Sequence, residues 1–249
     1  MFFLLSCFVT LLLSSASLAG DDKIKLITEN FPPFGYLENG ELKGIGPEIV
    51  ERLTRSSEIN ASSIQVLPWK RGYKMTLTDP NTALFSMHRI SQREPQFYWV
   101  GPLFSMRSYL FARSNSSFRI IKIEDIKKTE TILVQEGGSS EVLLKDLGFT
   151  SLLPVSNPEH QLRMLLKGRA SLYYTTDVAI THQLQVSGTP LNAIKPVFEL
   201  DKSDFYIAFS KSTEPQIIET WQHQLDKIKQ TDWYKNILKK YTFQSSVMR

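Results

Sequence analysis

Residues 23–53 read KIKLITENFPPFGYLENGELKGIGPEIVERL, and this stretch sets the pattern on which the rest of the chain is built. Its first six residues alternate polar and apolar side chains, which predicts a β-strand. The two prolines of FPPF lack backbone N–H groups, so the strand cannot continue through them. Asn39-Gly40 is a hairpin-turn signal, and apolar residues then recur at helical spacing, with Pro47 suited to a first turn. The stretch therefore predicts a strand, a loop, a hairpin and a helix.

Strands and helices alternate along the remainder of the chain in the same way. Short apolar runs bounded by turn residues predict further strands at residues 63–67, 83–87, 97–100, 108–112, 131–134, 151–155, 172–175 and 205–209. A turn of helix is expected at residues 91–96, longer helices begin at capping residues between the later strands, and two apolar helices close the chain. The alternation is typical of a mostly parallel sheet covered by helices, and its restart near residue 131 predicts two α/β lobes.

Composition and charge exclude several classes of protein. The chain has 249 residues, of which 42% are hydrophobic and 22% charged, as in globular proteins rather than collagen, coiled coils or disordered chains. The net charge of +4 is scattered without a dense basic run, so we expect no nucleic-acid partner. Cys7 is the single cysteine, and the histidines lack metal-ligand spacing. We therefore expect no disulfide, metal or cofactor.

Residues 1–19 are expected to be a signal peptide and not part of the fold. They carry no charged side chain, and an apolar run is followed by Ser17-Leu18-Ala19, which offers small residues for cleavage. Lipidation of Cys7 is disfavoured, because the six residues before it leave no room for an apolar region. No later run of 18 apolar residues occurs, so we expect an exported protein that is soluble in the periplasm.

Three groups of residues are candidates for a binding site, each with a structural alternative. The sequence Gly137-Gly138-Ser139-Ser140 offers backbone N–H groups and hydroxyls to an anion, but a capped loop–helix junction has the same composition. The segment 86–93 carries Arg89 and Arg93 after a short apolar strand, where a solvated basic helix is the alternative. Phe31 and Trp69 could line a cleft or belong to a core.

Taken together, these segments resemble the family 3 periplasmic solute-binding proteins, the receptors of polar amino-acid ABC transporters. The resemblance covers about residues 23–243, and five segments occur in the family's order. They are ENFPPFGYLENGELKGIGPEIVERL (29–53), SMHRISQREPQFYWVGPL (86–103), ILVQEGGSSEVLL (132–144), GRASLYYTTDVA (168–179) and the C-terminal part that begins DFYIAFS (204–241).

The resemblance implies an α/β, two-lobe type 2 periplasmic-binding-protein fold with two crossover strands as a hinge. The crossovers are expected near residues 111–115 and 195–199. Lobe 1 would then comprise residues 20–113 and 198–249, and lobe 2 residues 114–197. A ligand would shift the hinge from open to closed by binding the closed form better.

The resemblance also assigns roles in the cleft. Arg93 matches the arginine that binds a ligand carboxylate, for which a planar fork is the right chemistry. Ser86 and His88 fall where the family has residues around the ligand, and Ser139 matches the hydroxyl supplied by the second lobe. Gly137 and Gly138 would allow close backbone approach.

Aromatic and acidic positions complete the expected site. Phe31 matches an aromatic residue that packs on the ligand, and Trp69 is a second candidate for the cleft wall. Asp177, or Thr176 one position earlier, lies where the family places its ammonium-binding aspartate. Arg71 and Arg89 add positive charge, which would suit a ligand more anionic than a plain amino acid.

We therefore expect a monomeric, non-enzymatic receptor for a small polar or anionic ligand, with a membrane ABC permease as its partner. One alternative is a dehydratase-type enzyme on the same fold. Dehydration needs a positioned acid or base, and the expected cleft is poor in Glu and Asp. A second alternative is a ligand-sensing accessory protein that passes a signal to a membrane partner.

Overall fold

The computed structural model describes residues 23–56, 58–126 and 130–242. The expected signal peptide, residues 1–19, lies outside these residues. The strands are β1 (Lys25–Thr28), β2 (Tyr36–Glu38), β3 (Glu41–Lys43), β4 (Gln65–Val66), β5 (Thr82–His88), β6 (Phe97–Arg113), β7 (Ile132–Gln135), β8 (Leu152–Val155), β9 (Leu172–Thr176) and β10 (Ile194–Ser210). The helices are α1 (Ile45–Thr54), α2 (Trp69–Thr78), α3 (Ser139–Asp146), α4 (Pro158–Leu166), α5 (Asp177–Val186), α6 (Pro215–Lys229) and α7 (Asp232–Thr242).

The opening stretch folds as its sequence predicts. Strands β2 and β3 form an antiparallel hairpin, and Asn39 and Gly40 at its turn have φ angles of 53° and 82°. Two successive positive φ angles are what a tight two-residue hairpin requires, and Asn-Gly supplies them with little strain. Helix α1 then buries Ile45, Ile49 and Leu53 on one face.

An eight-stranded sheet in the order β4-β1-β5-β10-β6-β9-β7-β8 runs through the molecule. Its two halves repeat one arrangement: β1 lies between parallel neighbours β4 and β5, and β7 lies between parallel neighbours β8 and β9. The long strands β10 and β6 pair antiparallel with β5 and β9, respectively, and with each other. The two α/β lobes expected from the sequence are thus present, with β6 and β10 as the two crossover strands.

Helices cover both faces of each lobe. In lobe 1, α1, α6 and α7 pack on one face through residues such as Leu53 and Trp221, and α2 packs on the other. In lobe 2, α3 packs on one face through Leu144, whereas α4 and α5 pack on the other through Leu165 and Ile180. Among the described residues, no helix is both long enough and apolar enough to span a membrane.

The crossover is a two-stranded ribbon formed by residues 105–107 of β6 and 202–204 of β10. In the part of the chain that the structure describes, these residues pair only with each other, because pairing of β10 with β5 ends at Phe205 and pairing of β6 with β9 ends at Ser108. The sequence expectation puts the crossovers near 111–115 and 195–199. The strand pairing favours positions several residues closer to the middle of each strand, since residues 108–111 already pair with β9 of lobe 2.

Helix α2 and strand β6 differ from the sequence expectations, and β10 (Ile194–Ser210) is longer than the strand expected at 205–209. Helix α2 is not predicted, because it begins directly after Pro68 and buries only Gly72 and Thr76 fully, which gives a weak apolar pattern. The separate strands expected at 97–100 and 108–112 are one strand, β6. Gly101-Pro102 does not end it, because the ladder with β10 skips residues 101–103 as an irregularity and resumes at Phe104.

Candidate functional site

A cavity of about 70 Å³ lies between the lobes, next to the ribbon. A single water needs roughly 10–15 Å³ by this measure, so there is room for a small solute. Eight of the twelve residues predicted to bind ligand line it: Phe31, Trp69, Ser86, His88, Arg93, Gly138, Ser139 and Thr176. Lobe 1 adds Glu29 and Phe205; Ser108, Gln135, Ser140, Gln161, Tyr173, Tyr174 and Thr175 complete the lining.

The guanidinium of Arg93 is the one arginine or lysine side chain among the described residues that line the cavity. The residue is 5% exposed and precedes a short 3₁₀ turn, Glu94–Gln96, that follows β5. Its Nη1 donates to the carbonyl oxygen of His88 at 3.1 Å, and its Cζ lies 4.9 Å from the ring centre of Trp69. Burial lowers the pKa of Arg93 from its usual value, opposed by Tyr73 and Glu29. Arginine nevertheless stays protonated in proteins, so the charge is fixed.

Ser86 is held in a strained backbone conformation at the base of the cavity. It is 7% exposed and has a φ of 61°, at the point where the register between β5 and β10 shifts. Its hydroxyl has no hydrogen-bond partner within the described part of the chain and points towards Gly46, where an added Cβ would lie 2.2 Å away. Strain of this kind and an unpaired buried hydroxyl are concentrated at binding sites.

His88 and Ser139 meet across the cavity. Oγ of Ser139, the first residue of α3, lies 2.7 Å from Nδ1 of His88 at the end of β5. The imidazole also packs edge-on against Phe205, with ring centres 4.2 Å apart. Burial, with a smaller effect from the charge of Arg93, lowers the pKa of His88 to about 3. His88 is therefore neutral at physiological pH.

Glu29 supplies a carboxylate that is not among the predicted site residues. Its Oε2 accepts a hydrogen bond from Nε2 of Gln135 at 2.7 Å, so this pair also joins the two lobes. Burial raises the pKa of Glu29 to about 7, and the hydrogen bond from Gln135 and the charge of Arg93 act in the opposite direction. Among the described residues that line the cavity, Glu29 is the one carboxylate.

The rim of the cavity carries further contacts between the lobes. Nε1 of Trp69 donates to the carbonyl oxygen of Gly137 at 2.8 Å, and Lys70 forms a 2.6 Å ion pair with Glu136. Nε2 of Gln92 donates to Asp146 at 2.6 Å. Together with the His88–Ser139 and Glu29–Gln135 pairs, these contacts describe a closed arrangement of the lobes.

Four predicted residues lie outside the cavity: Arg71, Arg89, Gly137 and Asp177. Arg89 directly follows the end of β5, and its Nε donates to Oε2 of Glu94 at 2.7 Å. Arg71 is exposed on α2, and Gly137 contributes its carbonyl to the rim.

Strand β9 ends at Thr176, and it places the hydroxyl-bearing Thr176, not the carboxylate of Asp177, at the cavity. Thr176 lines the cavity, but its Oγ1 accepts from the backbone N–H of Ala179 at 3.0 Å and so caps α5. Asp177 is the first residue of that helix and lines a different cavity, beside Arg107 and Lys202. The carboxylate expected here as the partner of a ligand ammonium group, that of Asp177, therefore does not line the cavity.

The comparison with protein families identifies the fold. The model of the bacterial extracellular solute-binding proteins, family 3, matches residues 24–245. The chain belongs to this family. The family 3 fold accounts for the two lobes and the two long crossover strands. No curated protein sequence matches the chain.

Solved structures resemble this family 3 chain over nearly its whole length. A histidine kinase sensor domain with similarity to periplasmic binding proteins has a TM-score of 0.78 and 17% identity, covering 89% of this chain and 97% of its own. An ancestral arginine-binding protein bound to arginine has a TM-score of 0.75 and 20% identity, covering 88% and 98%. The substrate-binding protein of an amino acid ABC transporter has a TM-score of 0.73 and 17% identity, covering 88% and 100%. At these identities the likeness establishes the fold.

Proposed function

We propose that this chain captures a small polar solute carrying a carboxylate, an amino acid or a related acid, in the cavity between its lobes. The observation that carries the proposal is the buried guanidinium of Arg93. Among the described residues its close contacts are the His88 carbonyl and the Trp69 and Tyr73 rings, none of which is an anion. A buried charge without a hydrogen-bonded counter-ion is costly, and a solute carboxylate would remove that cost.

Glu29 refines the class of solute. Its side chain faces the same cavity as Arg93, so a solute that carries both a carboxylate and an ammonium or amide N–H group could pair with both. A plain dicarboxylate would bring a second negative charge towards Glu29, unless Glu29 is protonated. The charge pattern thus favours a zwitterion or a carboxylate with a hydrogen-bond donor over a doubly charged anion.

Native mass spectrometry of freshly purified protein tests this proposal directly, because a co-purifying solute is identified by its mass. A panel of amino acids and small carboxylates should then include compounds that raise the melting temperature, by mass action of the order of 2.7 kcal/mol at a hundredfold excess over Kd. If neither a bound mass nor a thermal shift is found, the receptor proposal fails.

The transport setting is part of the same proposal. Membership of an extracellular solute-binding family supports export, and we propose a periplasmic monomer, cleaved after Ala19, that delivers its solute to a membrane ABC permease. A sensing role would instead require a signalling partner in the membrane. Co-purification from membranes with solute present would distinguish a permease from a sensor by the identity of the captured protein.

A second candidate function, a dehydratase-type enzyme, is favoured by one observation. The cavity holds a carboxyl group, Glu29, whose pKa of about 7 suits a general acid or base at neutral pH. Incubation of each thermal-shift hit with the protein, followed by NMR of the small molecule, separates the two functions. A product that forms with the wild-type protein and does not form with Glu29→Gln would establish catalysis. A solute that stays chemically unchanged would support capture alone.

A further inference from the structure

A buried cluster of hydrogen bonds joins the wall of the cavity to the ribbon between the lobes. Tyr174 on β9 is 6% exposed and lines the cavity, and its hydroxyl donates to Oδ1 of Asp201 on β10 at 2.9 Å. Oγ of Ser203 donates to the same oxygen at 3.3 Å and lies 2.5 Å from Oγ of Ser108 on β6. We call Tyr174, Asp201, Ser203 and Ser108 the hinge cluster.

The two serines of the hinge cluster are buried, whereas Asp201 is partly exposed. Ser108 is 0% exposed and Ser203 is 3% exposed. Burial raises the pKa of Asp201, and the hydrogen bonds from Tyr174, Ser108 and Ser203 counteract that rise by stabilising its carboxylate. Removing the Asp201 carboxylate would leave the hydroxyl of Tyr174, a residue that is 6% exposed, without this acceptor, and an unpaired buried hydroxyl costs more than the bond itself contributes.

The position of the hinge cluster ties it to lobe movement. Asp201 and Ser108 are register partners in the β10–β6 ladder, and the ribbon of residues 105–107 and 202–204 begins immediately beyond them. Ser203 lies inside the ribbon and reaches back to both. Any twist of the ribbon therefore moves Ser203 relative to Asp201, and Asp201 is bonded to the cavity wall through Tyr174.

We propose that Asp201 is a positioning residue that couples the wall of the solute cavity to closure of the lobes through Tyr174. It holds the Tyr174 hydroxyl at the ribbon, so that the ring rather than the hydroxyl faces the solute. The complete cluster stabilises the closed arrangement. This inference rests on the proposed function only in that the lobes open and close around a solute.

Lobe opening can be measured without knowing the solute. Spin labels on Lys74→Cys in α2 and Lys167→Cys at the end of α4, both exposed, would report the distance between lobes in a Cys7→Ser background. With no solute added, Asp201→Ala and Tyr174→Phe should each raise the ratio of open to closed molecules at least threefold. Asp201→Asn, whose Oδ1 can still accept from Tyr174, should restore most of the closed population.

The double variant tests whether Asp201 acts through Tyr174. If it does, Asp201→Ala combined with Tyr174→Phe should open the lobes no more than Asp201→Ala alone, because both changes remove the same contact. Additive effects would overturn the proposal, as would a wild-type distance distribution in both single variants. Should Asp201→Ala fail to fold, the other two variants decide the question. Tyr174→Phe removes the hydrogen bond between Tyr174 and Asp201 and should open the lobes, whereas Asp201→Asn keeps an acceptor for it and should not.

Glu199→Ala is a matched control on the same two strands. Glu199 accepts from the hydroxyl of Tyr109 at 3.1 Å and from Nη1 of Arg107 at 2.9 Å, so it forms a second tyrosine–carboxylate contact. This contact is exposed and Tyr109 does not line the cavity. Opening in Glu199→Ala equal to that in Asp201→Ala would overturn the proposal. If the variants open as expected but no solute in the panel closes them, the proposed function fails and the hinge coupling stands.

Discussion

Oγ of Ser139 lies 2.7 Å from Nδ1 of His88, and this contact crosses the cavity from lobe 2 to lobe 1. Both residues are expected to contact the solute, yet in the closed arrangement they satisfy each other. The same holds for Glu29 and Gln135, which are 2.7 Å apart. The lobes can therefore meet through their own polar groups, and a solute competes with these contacts as well as adding new ones.

Arg93 should be essential for solute binding. Arg93→Ala removes two charge-assisted hydrogen bonds to the solute carboxylate, worth about 1.5–3 kcal/mol each, so the affinity should fall at least about a hundredfold. Arg93→Lys should recover part of the loss, because lysine offers a point charge without the planar fork. Calorimetry with the solute identified by mass spectrometry measures both.

Arg89→Ala is the control for that experiment. Arg89 is paired with Glu94 on the outer surface, so its removal should leave the affinity nearly unchanged. An affinity lost in Arg89→Ala and retained in Arg93→Ala would show that the solute binds elsewhere.

Glu29 should make stability depend on pH. Its folded pKa of about 7 exceeds its ordinary 4.5, so the folded state retains a proton that the unfolded state releases. The contribution of Glu29 to stability therefore falls as the pH rises from about 4.5 to about 7. Glu29→Gln should melt near the wild-type temperature at pH 4.5 and about 6–12 °C higher at pH 8, for an effect of about 3 kcal/mol.

His88 acts in the opposite direction, because its folded pKa of about 3 lies below the ordinary 6.5. Its contribution to stability falls as the pH drops below 6.5, but it is present in both proteins and cancels in the difference. Glu124→Gln, on an exposed turn, is the control for the loss of a surface carboxylate. A difference in melting temperature between Glu29→Gln and the wild type that does not change with pH would contradict a raised pKa for Glu29.

The rim contact of Trp69 should slow solute release. Trp69→Phe keeps an aromatic ring beside Arg93 but loses the 2.8 Å hydrogen bond to Gly137, a neutral bond worth about 0.5–1.5 kcal/mol. The dissociation rate should rise about two- to tenfold in stopped-flow measurements. Trp99→Phe, which removes a 3.5 Å contact to the Glu94 carbonyl outside the cavity, should leave the rate unchanged.

Cleavage of the expected signal peptide, residues 1–19, can be tested on protein expressed with its full sequence and recovered from the periplasm. Cleavage after Ala19 would give a mature chain that begins at Gly20. N-terminal sequencing checks this. A chain that still begins at Met1, or a lipid attached to Cys7, would contradict the expectation.

Local patterns were enough to predict the strands and most helices, and the limits of prediction lie where the signal is not local. The alternation in residues 23–28 and the Asn39-Gly40 turn each determine structure within a few residues. Glu29, in contrast, is one carboxylate beside a proline-rich loop, and its partner Gln135 is 106 residues away. Burial in the folded chain raises its pKa, and no neighbouring residue in the sequence encodes that burial.

The end of β9 illustrates a second limit. Thr176 and Asp177 are adjacent, so shifting the end of β9 by one residue would change which of the two side chains faces the cavity. The start of α5 at Asp177 decides it: the preceding Thr176 becomes the cap, with its hydroxyl accepting from Ala179, and Asp177 turns to another surface. Sequence spacing cannot resolve a single step of this kind.

The path of the chain through the sheet also determines the order in which the molecule can assemble. Strands β7, β8 and β9 and helices α3 to α5 form one uninterrupted segment, whereas lobe 1 needs β10, α6 and α7 from the far end of the chain. Until β10 is available, β5 has no neighbour on that side, and the surface later covered by Trp221 and Leu225 stays open to water. Because synthesis begins at the N-terminus, the chain can thus form most of lobe 2 before the last strand of lobe 1 is available to pair with β5.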